Sequence, residues 1–254
     1  MLTPTASAII KMQVAWRLDC KVSSLTNAGT LVKAHGPRLA DYHGVYLWQM
    51  EDTTTISTPP EWVLATQADV AGQAPATLRD PTFWRAVLGA SIERIVGPSY
   101  QGYVDAATFR PALFALHVRR VEPADLPALE RLVAACPPQE WADSAIRLDH
   151  TPIFALERSG ELLAAASAPG DGPEVASVGV ITHPAWRGRG YGAAVVSALT
   201  ADRLAEGIIL HYQTLRANFA SVAVARSLGY QDLATALGIR LQGWQVEPSI
   251  RSNG

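Results

Sequence analysis

The sequence predicts an α/β protein, on two observations. From Phe114 onward, short apolar runs that alternate like half-buried strands take turns with segments whose apolar residues recur every three or four positions. A glycine-rich run, Arg187-Gly188-Arg189-Gly190-Tyr191-Gly192, joins a strand-like segment, residues 176–182, to a helix-like one, residues 193–206. Its glycines let the backbone approach a ligand closely, the two arginines add charge, and the N–H groups that open a helix lack partners inside it. Such a turn suits an anion, and a pyrophosphate above all.

The elements follow in order. Before about Pro111 the pattern is irregular, with strand-like runs at residues 45–50 and 62–66 on either side of a Thr-, Ser- and Pro-rich stretch, residues 53–60, read as a connection. Residues 81–95 carry Phe83, Trp84, Val87, Leu88 and Ile92 at helical spacing, and Gly97-Pro98 should end that helix. Residues 1–111 thus read as a smaller α/β domain and 112–254 as a second one, with 106–111 as the junction. In the second, Phe114, Leu116 and Val118 alternate with Ala115, His117 and Arg119 as a strand. Pro123 opens an amphipathic helix through Leu126, Leu129, Leu132, Val133 and Cys136, which Pro137-Pro138 closes. Residues 153–158 and 161–168 form a hairpin around Ser159-Gly160, and Asp171-Gly172-Pro173 marks a turn. After the glycine run and its helix, Gly207 suits a C′ position, residues 207–213 form a strand, Asn218 caps a helix that Gly229-Tyr230 closes, and residues 236–241 form a final strand.

Composition limits the function. Of the 254 residues 48% are hydrophobic and 17% charged, which is a globular balance. No uncharged apolar run approaches the roughly eighteen residues that a membrane span needs. Lys11 and Arg17 break up the first twenty residues, a poor secretion signal, so a cytoplasmic location is expected. Two cysteines, Cys20 and Cys136, build no disulfide framework and no metal site. A net charge of −2 without a basic block speaks against nucleic acid or an anionic membrane as partner.

Two cofactor classes fit the glycine run less well than a third. Gly188-Arg189-Gly190-Tyr191-Gly192-Ala193 satisfies the dinucleotide pattern, but His183-Pro184-Ala185-Trp186 separates it from its strand, and the next strand ends Leu210-His211-Tyr212-Gln213 without the acid that would hold a ribose. A triphosphate loop would need a Gly-Lys-Ser/Thr ending, which is missing.

Arg187-x-x-Gly190-x-Gly192, preceded by Val180-Ile181-Thr182-His183-Pro184 and followed by Asn218-x-x-Ser221 and Leu228-Gly229-Tyr230, resembles the acetyl-CoA site of the Gcn5-related N-acetyltransferases, over about residues 114–242. The resemblance implies that family's acyl-CoA N-acyltransferase fold, a mixed sheet in which residues 176–182 and 207–213 splay apart around the pantetheine arm. It further implies acetyl-CoA as co-substrate and an amine as acceptor, a small molecule in the first reading and a protein lysine or amino terminus in another. Backbone groups of Val180, Ile181 and Thr182 would meet the pantetheine amides. The N–H groups of Arg187, Gly188, Arg189, Gly190, Tyr191, Gly192 and Ala193 would meet the pyrophosphate, with Asn218 and Ser221 completing the cofactor site. Gly179, inside a strand, permits the bulge such a splay requires.

Acyl transfer to an amine needs a neutral nucleophile, donors to the developing oxyanion and a proton for the thiolate. The Val180 N–H is the candidate oxyanion donor. The tyrosine that many relatives carry seven residues after the motif asparagine is Ala225 here, leaving Tyr212, Ser221 or water as acid. Glu140, in Pro137-Pro138-Gln139-Glu140-Trp141, is the candidate base. The absence of a clear acid and base also allows a non-catalytic acyl-CoA sensor. Residues 1–111 could wall the acceptor cleft, repeat half of the fold in degenerate form, or make a homodimer contact.

Overall fold

The computed structural model describes residues 1–112, 117–146, 152–168 and 174–242. In chain order the elements are α1 (Pro4–Leu18), β1 (Gly29–Ala34), β2 (Gly44–Met50), β3 (Thr53–Thr58), α2 (Val63–Val70), α3 (Pro75–Leu78), α4 (Pro81–Leu88), β4 (Ile92–Val104), β5 (Val118–Arg120), α5 (Leu126–Ala135), α6 (Pro138–Asp143), β6 (Ile153–Arg158), β7 (Glu161–Ser167), β8 (Val175–Ser177), β9 (Gly179–Thr182), α7 (Tyr191–Ala205), β10 (Ile209–Leu215), α8 (Phe219–Ser227) and β11 (Gln231–Leu241). Phe114, Leu116 and the Asp171-Gly172-Pro173 turn lie outside the described residues.

Two compact units result, and both are discontinuous: Met1–Gln13 with Tyr100–Leu233, and Val14–Ser99 with Ala234–Gly254. Along the chain the divisions fall after Gln13, Ser99 and Leu233, so most of β11 belongs to the second unit.

In the second unit strands lie in the order β1, β3, β2, β11, β4. β1 runs parallel to β3, and β2 runs antiparallel to both β3 and β11. Residues 53–60, expected to be a connection, are mostly β3, because β-branched Thr53, Thr54, Thr55 and Ile56 fit a pleated, fully buried position. Residues 62–66 are not a strand. Pro60 sets up a helical turn that continues into α2, whose Thr66 and Val70 face the core. The helix opened by Asp80, whose carboxylate accepts from Thr82 N–H at 2.8 Å, ends at Leu88. β4 then runs straight through Gly97-Pro98, which does not act as a stop. Trp84 anchors this core fully buried, with its indole N–H donating to the Leu78 carbonyl at 2.7 Å.

In the first unit one sheet has the order β5, β6, β7, β9, while β4, β10 and β8 lie in that order beside it. The hairpin β6–β7 turns at Ser159 (φ 54) and Gly160 (φ 81), the paired left-handed geometry that suits a two-residue connection. Its side chains alternate between two cores. Leu156, Ala164 and Ala166 pack with Val195 and Leu199 of α7, while Ala155, Leu162 and Ala165 pack with Leu129 and Leu132 of α5. Cys136 completes the α5 core as a buried free thiol, pushed up by burial. Gly229 (φ 89) closes α8 where a Cβ would strike the Thr108 carbonyl at 2.0 Å, so the turn admits only glycine.

Candidate functional site

The run of residues 176–182 is two strands, not one. β8 pairs parallel with β10 through Val175–Ile209, Ala176–Leu210 and Ser177–His211. At Val178 the chain makes its last bond to that neighbour, N–H to the His211 carbonyl at 2.8 Å. From Gly179 it pairs antiparallel with β7 instead, Ser167 against Gly179 and Ala164 against Thr182. β9 and β10 thus part company at Val178, leaving an opening between their facing edges.

Ladder phase decides which groups of β9 face that opening. The His183 N–H bonds to the Leu163 carbonyl at 2.9 Å, so alternation turns the backbone groups of Ile181 and Gly179 toward β7 and those of Val180 and Thr182 away from it. Ile181 differs here from the expectation of three consecutive contributing residues: its backbone is committed to β7 and its side chain is buried beside α5. The Val180 N–H donates to the Ser144 carbonyl at 3.1 Å, and the Thr182 carbonyl accepts from Arg187 Nε at 3.3 Å. Gly179 allows the first of these contacts, since a Cβ there would lie 2.6 Å from the Ser144 oxygen.

β9 leads into the glycine run. Gly188 (φ 74) and Gly190 (φ 80) hold left-handed turns, and Gly190 is the N-cap of α7. The first intrahelical bond runs from the Ala194 N–H to the Gly190 carbonyl at 3.0 Å, so the N–H groups of Tyr191, Gly192 and Ala193 precede the helix's own ladder and point out of its end. The side chains of Tyr191 and Ala193 are buried, which limits what they can offer a ligand to their backbone. Tyr191 stacks on Trp186 at 6.3 Å, and the Arg189 guanidinium lies 4.7 Å over the same indole. At Gly192 a Cβ would sit 3.2 Å from Thr182 Oγ1, so glycine lets the start of α7 press against β9. The His183 ring accepts from the Ala185 N–H at 3.2 Å, a turn-capping role.

Glu140, the candidate base, pairs with Arg187. Both its oxygens pair with the Arg187 guanidinium, Oε1 to Nη1 at 3.4 Å and Oε2 to Nη2. The cation it meets is the first residue of the glycine run. α6 explains the placement: it puts Glu140 in its first turn against Arg187 and delivers Ser144, just past its end, to Val180.

Tyr212 lies on β10 with its ring buried and its hydroxyl 3.0 Å from Ser221 Oγ, one turn into α8. Burial pushes its phenol up, against an opposing pull from Ser221, so it is a protonated donor at neutral pH. Asn218 caps α8, its Oδ1 accepting from the Ser221 N–H at 3.1 Å. Ala225, fully buried one turn beyond Ser221 on the same face, belongs to the same core as the Tyr212 ring. The Tyr212 hydroxyl therefore reaches the helix face on which position 225 offers none. Among the described residues no cluster of three or more His, Cys, Asp or Glu could hold a metal, and no helix is long and apolar enough to cross a membrane.

The divided strand pair and the glycine-rich start of α7 both lie within the span that sequence comparison matches to a family. Residues 119–230 match the acetyltransferase (GNAT) family, so the chain carries a GNAT-family domain over that span. No curated protein matches the chain. Among solved structures it is similar to a GNAT-family protein from Novosphingobium aromaticivorans DSM 12444, at 25% identity and a TM-score of 0.47, over 58% of this chain and 66% of that one. It is also similar to a GNAT-family acetyltransferase from Colwellia psychrerythraea, at 17% identity and a TM-score of 0.49, over 74% and 76%. A third likeness is to aminoglycoside N-acetyltransferase AAC(6')-Iy in complex with CoA, at 20% identity and a TM-score of 0.37, over 48% and 93%. The chain thus spans about two thirds of the length of the first of these.

Proposed function

We propose that the protein transfers an acetyl or short acyl group from acetyl-CoA to a primary amine, by direct attack of the amine on the thioester, with a small molecule as acceptor. The observation that carries this reading is the parting of β9 from β10 at Val178, just before the glycine run that opens α7. In this reading the backbone N–H groups of residues 187–193 hold the pyrophosphate, helped by the positive end of α7. Val180 and Thr182 supply the backbone groups for the pantetheine amides and the thioester oxygen, and Asn218 and Ser221 line the other wall. A donor at the oxyanion contributes on the order of 3 kcal/mol to the barrier in well-studied acyl transfer. Tyr212 is the general acid, giving its proton to the departing thiolate directly or through Ser221.

This reading requires that Ser144 release the Val180 N–H and that Glu140 yield Arg187 when the cofactor enters. Calorimetric titration with acetyl-CoA, followed by thiol release against a panel of amines, tests it. Binding with turnover supports the transferase. Binding without turnover on any amine supports a non-catalytic acyl-CoA sensor, a reading that the pairing of Glu140 with Arg187 favours. Absence of binding removes both.

A further inference from the structure

At the last residue of β8, Ser177 places Oγ 3.2 Å from Nδ1 of His211 on β10, and Nε2 of the same ring lies 2.7 Å from Oε1 of Gln101 on β4. His211 and Gln101 are fully buried and Ser177 is half-buried. Tyr103, two residues on from Gln101, stacks flat against the imidazole at 4.4 Å. An amide oxygen only accepts, so Nε2 carries the ring hydrogen, Nδ1 is left as an acceptor, and the Ser177 hydroxyl donates to it. A hydroxyl bonded to an imidazole whose far nitrogen is oriented by a third group can take up a proton as it passes its own to the ring.

Its place in the fold gives this trio a task. Ser177 immediately precedes Val178, where the two strands part. Ala176, Val178, Leu210 and Tyr212 share a core with α7, so strand alternation turns Ser177 and His211 to the opposite face. The anion loop opens α7. A cofactor gripped there and threaded through the opening between β9 and β10 presents its thioester toward the face that carries Ser177.

We propose that Ser177 and His211, oriented by Gln101, form the proton relay for the attacking amine. This rests on the transferase reading above. As the amine nitrogen bonds to the thioester carbon, its proton passes to Ser177 Oγ while the Ser177 proton passes to His211 Nδ1. The imidazolium so formed donates from both nitrogens, to Ser177 and to Gln101 Oε1. The tetrahedral intermediate then breaks its C–S bond, the sulfur leaves with the electron pair, and the ring returns its proton through Ser177 to solvent. Ser177 forms no covalent bond to the acyl group. His211 and Gln101 act through Ser177 and are positioning residues.

The test uses the full chain with Ser177→Ala, Ser177→Thr and His211→Gln. Ser177→Ala should lower kcat about a hundredfold or more and abolish the acidic limb of its pH profile. Its acetyl-CoA Kd should stay within about threefold of the parent value. Ser177→Thr, which keeps a hydroxyl, should recover most of the rate. Since the buried His211→Gln change can prevent folding, the nitrogen NMR signals of His211 in the unaltered protein give a second readout, and protonation at Nε2 with a bare Nδ1 is expected. A Ser177→Ala variant with unchanged kcat and pH profile, or a ring protonated at Nδ1 alone, overturns the relay while leaving the transferase standing. An unaltered chain that binds no acetyl-CoA, or releases no thiol with any amine, overturns the transferase reading and the relay with it.

Discussion

Glu140 and Arg187 meet carboxylate to guanidinium, so the cation best placed to greet a phosphate already holds an acid from its own chain. The pair is nearly half exposed on both sides, 44% and 45%, which keeps it weak enough to exchange. Replacing Glu140 with Gln should therefore tighten acetyl-CoA binding, by up to about fivefold, the worth of an exposed ion pair. Calorimetry checks this. Were Glu140 the general base, the same change would instead cut kcat about a hundredfold with binding unaltered.

The Ser144 carbonyl occupies the Val180 N–H across a space that only glycine at 179 leaves open. Gly179→Ala would drive a Cβ into the Ser144 oxygen at 2.6 Å and the Ala145 carbonyl carbon at 2.8 Å. Overpacking of this kind costs about 1–3 kcal/mol, so a lower thermal midpoint is expected. Because the change also pushes Ser144 off Val180, acetyl-CoA should recover more of the midpoint in the variant than in the parent.

Tyr212→Phe removes the hydroxyl that reaches Ser221. Stability should fall by about 1 kcal/mol, the usual net worth of one hydrogen bond. If the phenol is the acid, kcat falls about a hundredfold or more while the KM for acetyl-CoA holds. An unchanged kcat would assign thiolate protonation to water.

His35 gives the second unit a pH response. One ring nitrogen lies 2.7 Å from Ser57 Oγ and the other 3.0 Å from the Gly44 carbonyl oxygen. The carbonyl takes a hydrogen from Nε2 and Nδ1 accepts from Ser57. Burial lowers the imidazole's affinity for a proton, more than the carbonyls of Gly44 and Tyr42 and the Glu61 charge restore it, and Lys33 lowers it further. The unfolded chain therefore binds this proton more readily than the folded one, so stability is present above the ordinary value of about 6.5 and declines as pH falls through it. Thermal melts from pH 5 to 8 should show the midpoint rising with pH, and His35→Gln should flatten that slope.

Asn218→Ala should cost about 1 kcal/mol through loss of the α8 cap, whether or not the residue touches cofactor. A fall in acetyl-CoA affinity beyond the loss of folded protein, measured well below the melting range, would add a direct contact.

Much of the first unit was readable because its signals are local. The Ser159-Gly160 hairpin, the Asn218 cap and the Gly229 close of α8 each depend on a few adjacent residues whose backbone preferences decide the outcome. What escaped depends on partners far away in sequence. The threonines of β3 read as a connection until burial between β1 and β2 makes their branched side chains an asset. Gly97-Pro98 reads as a stop although β4 passes through it, and that misreading hid Gln101 and Tyr103 from any association with His211. Gly179 did signal a bulge, but which neighbour each half of the divided strand would choose is a matter of registers more than ten residues away. The pairing of Glu140 with Arg187 was hidden for the same reason, since nothing near Glu140 in the chain announces Arg187.

The edge of β9 that faces away from β7 carries a liability. Were Ser144 to leave the Val180 N–H, the bared edge would invite another strand, including one from a second copy of the chain, to add itself there. α6 and the Ser144 carbonyl just beyond it cover that edge. A single short segment thus stands between the edge of β9 and a seed for aggregation.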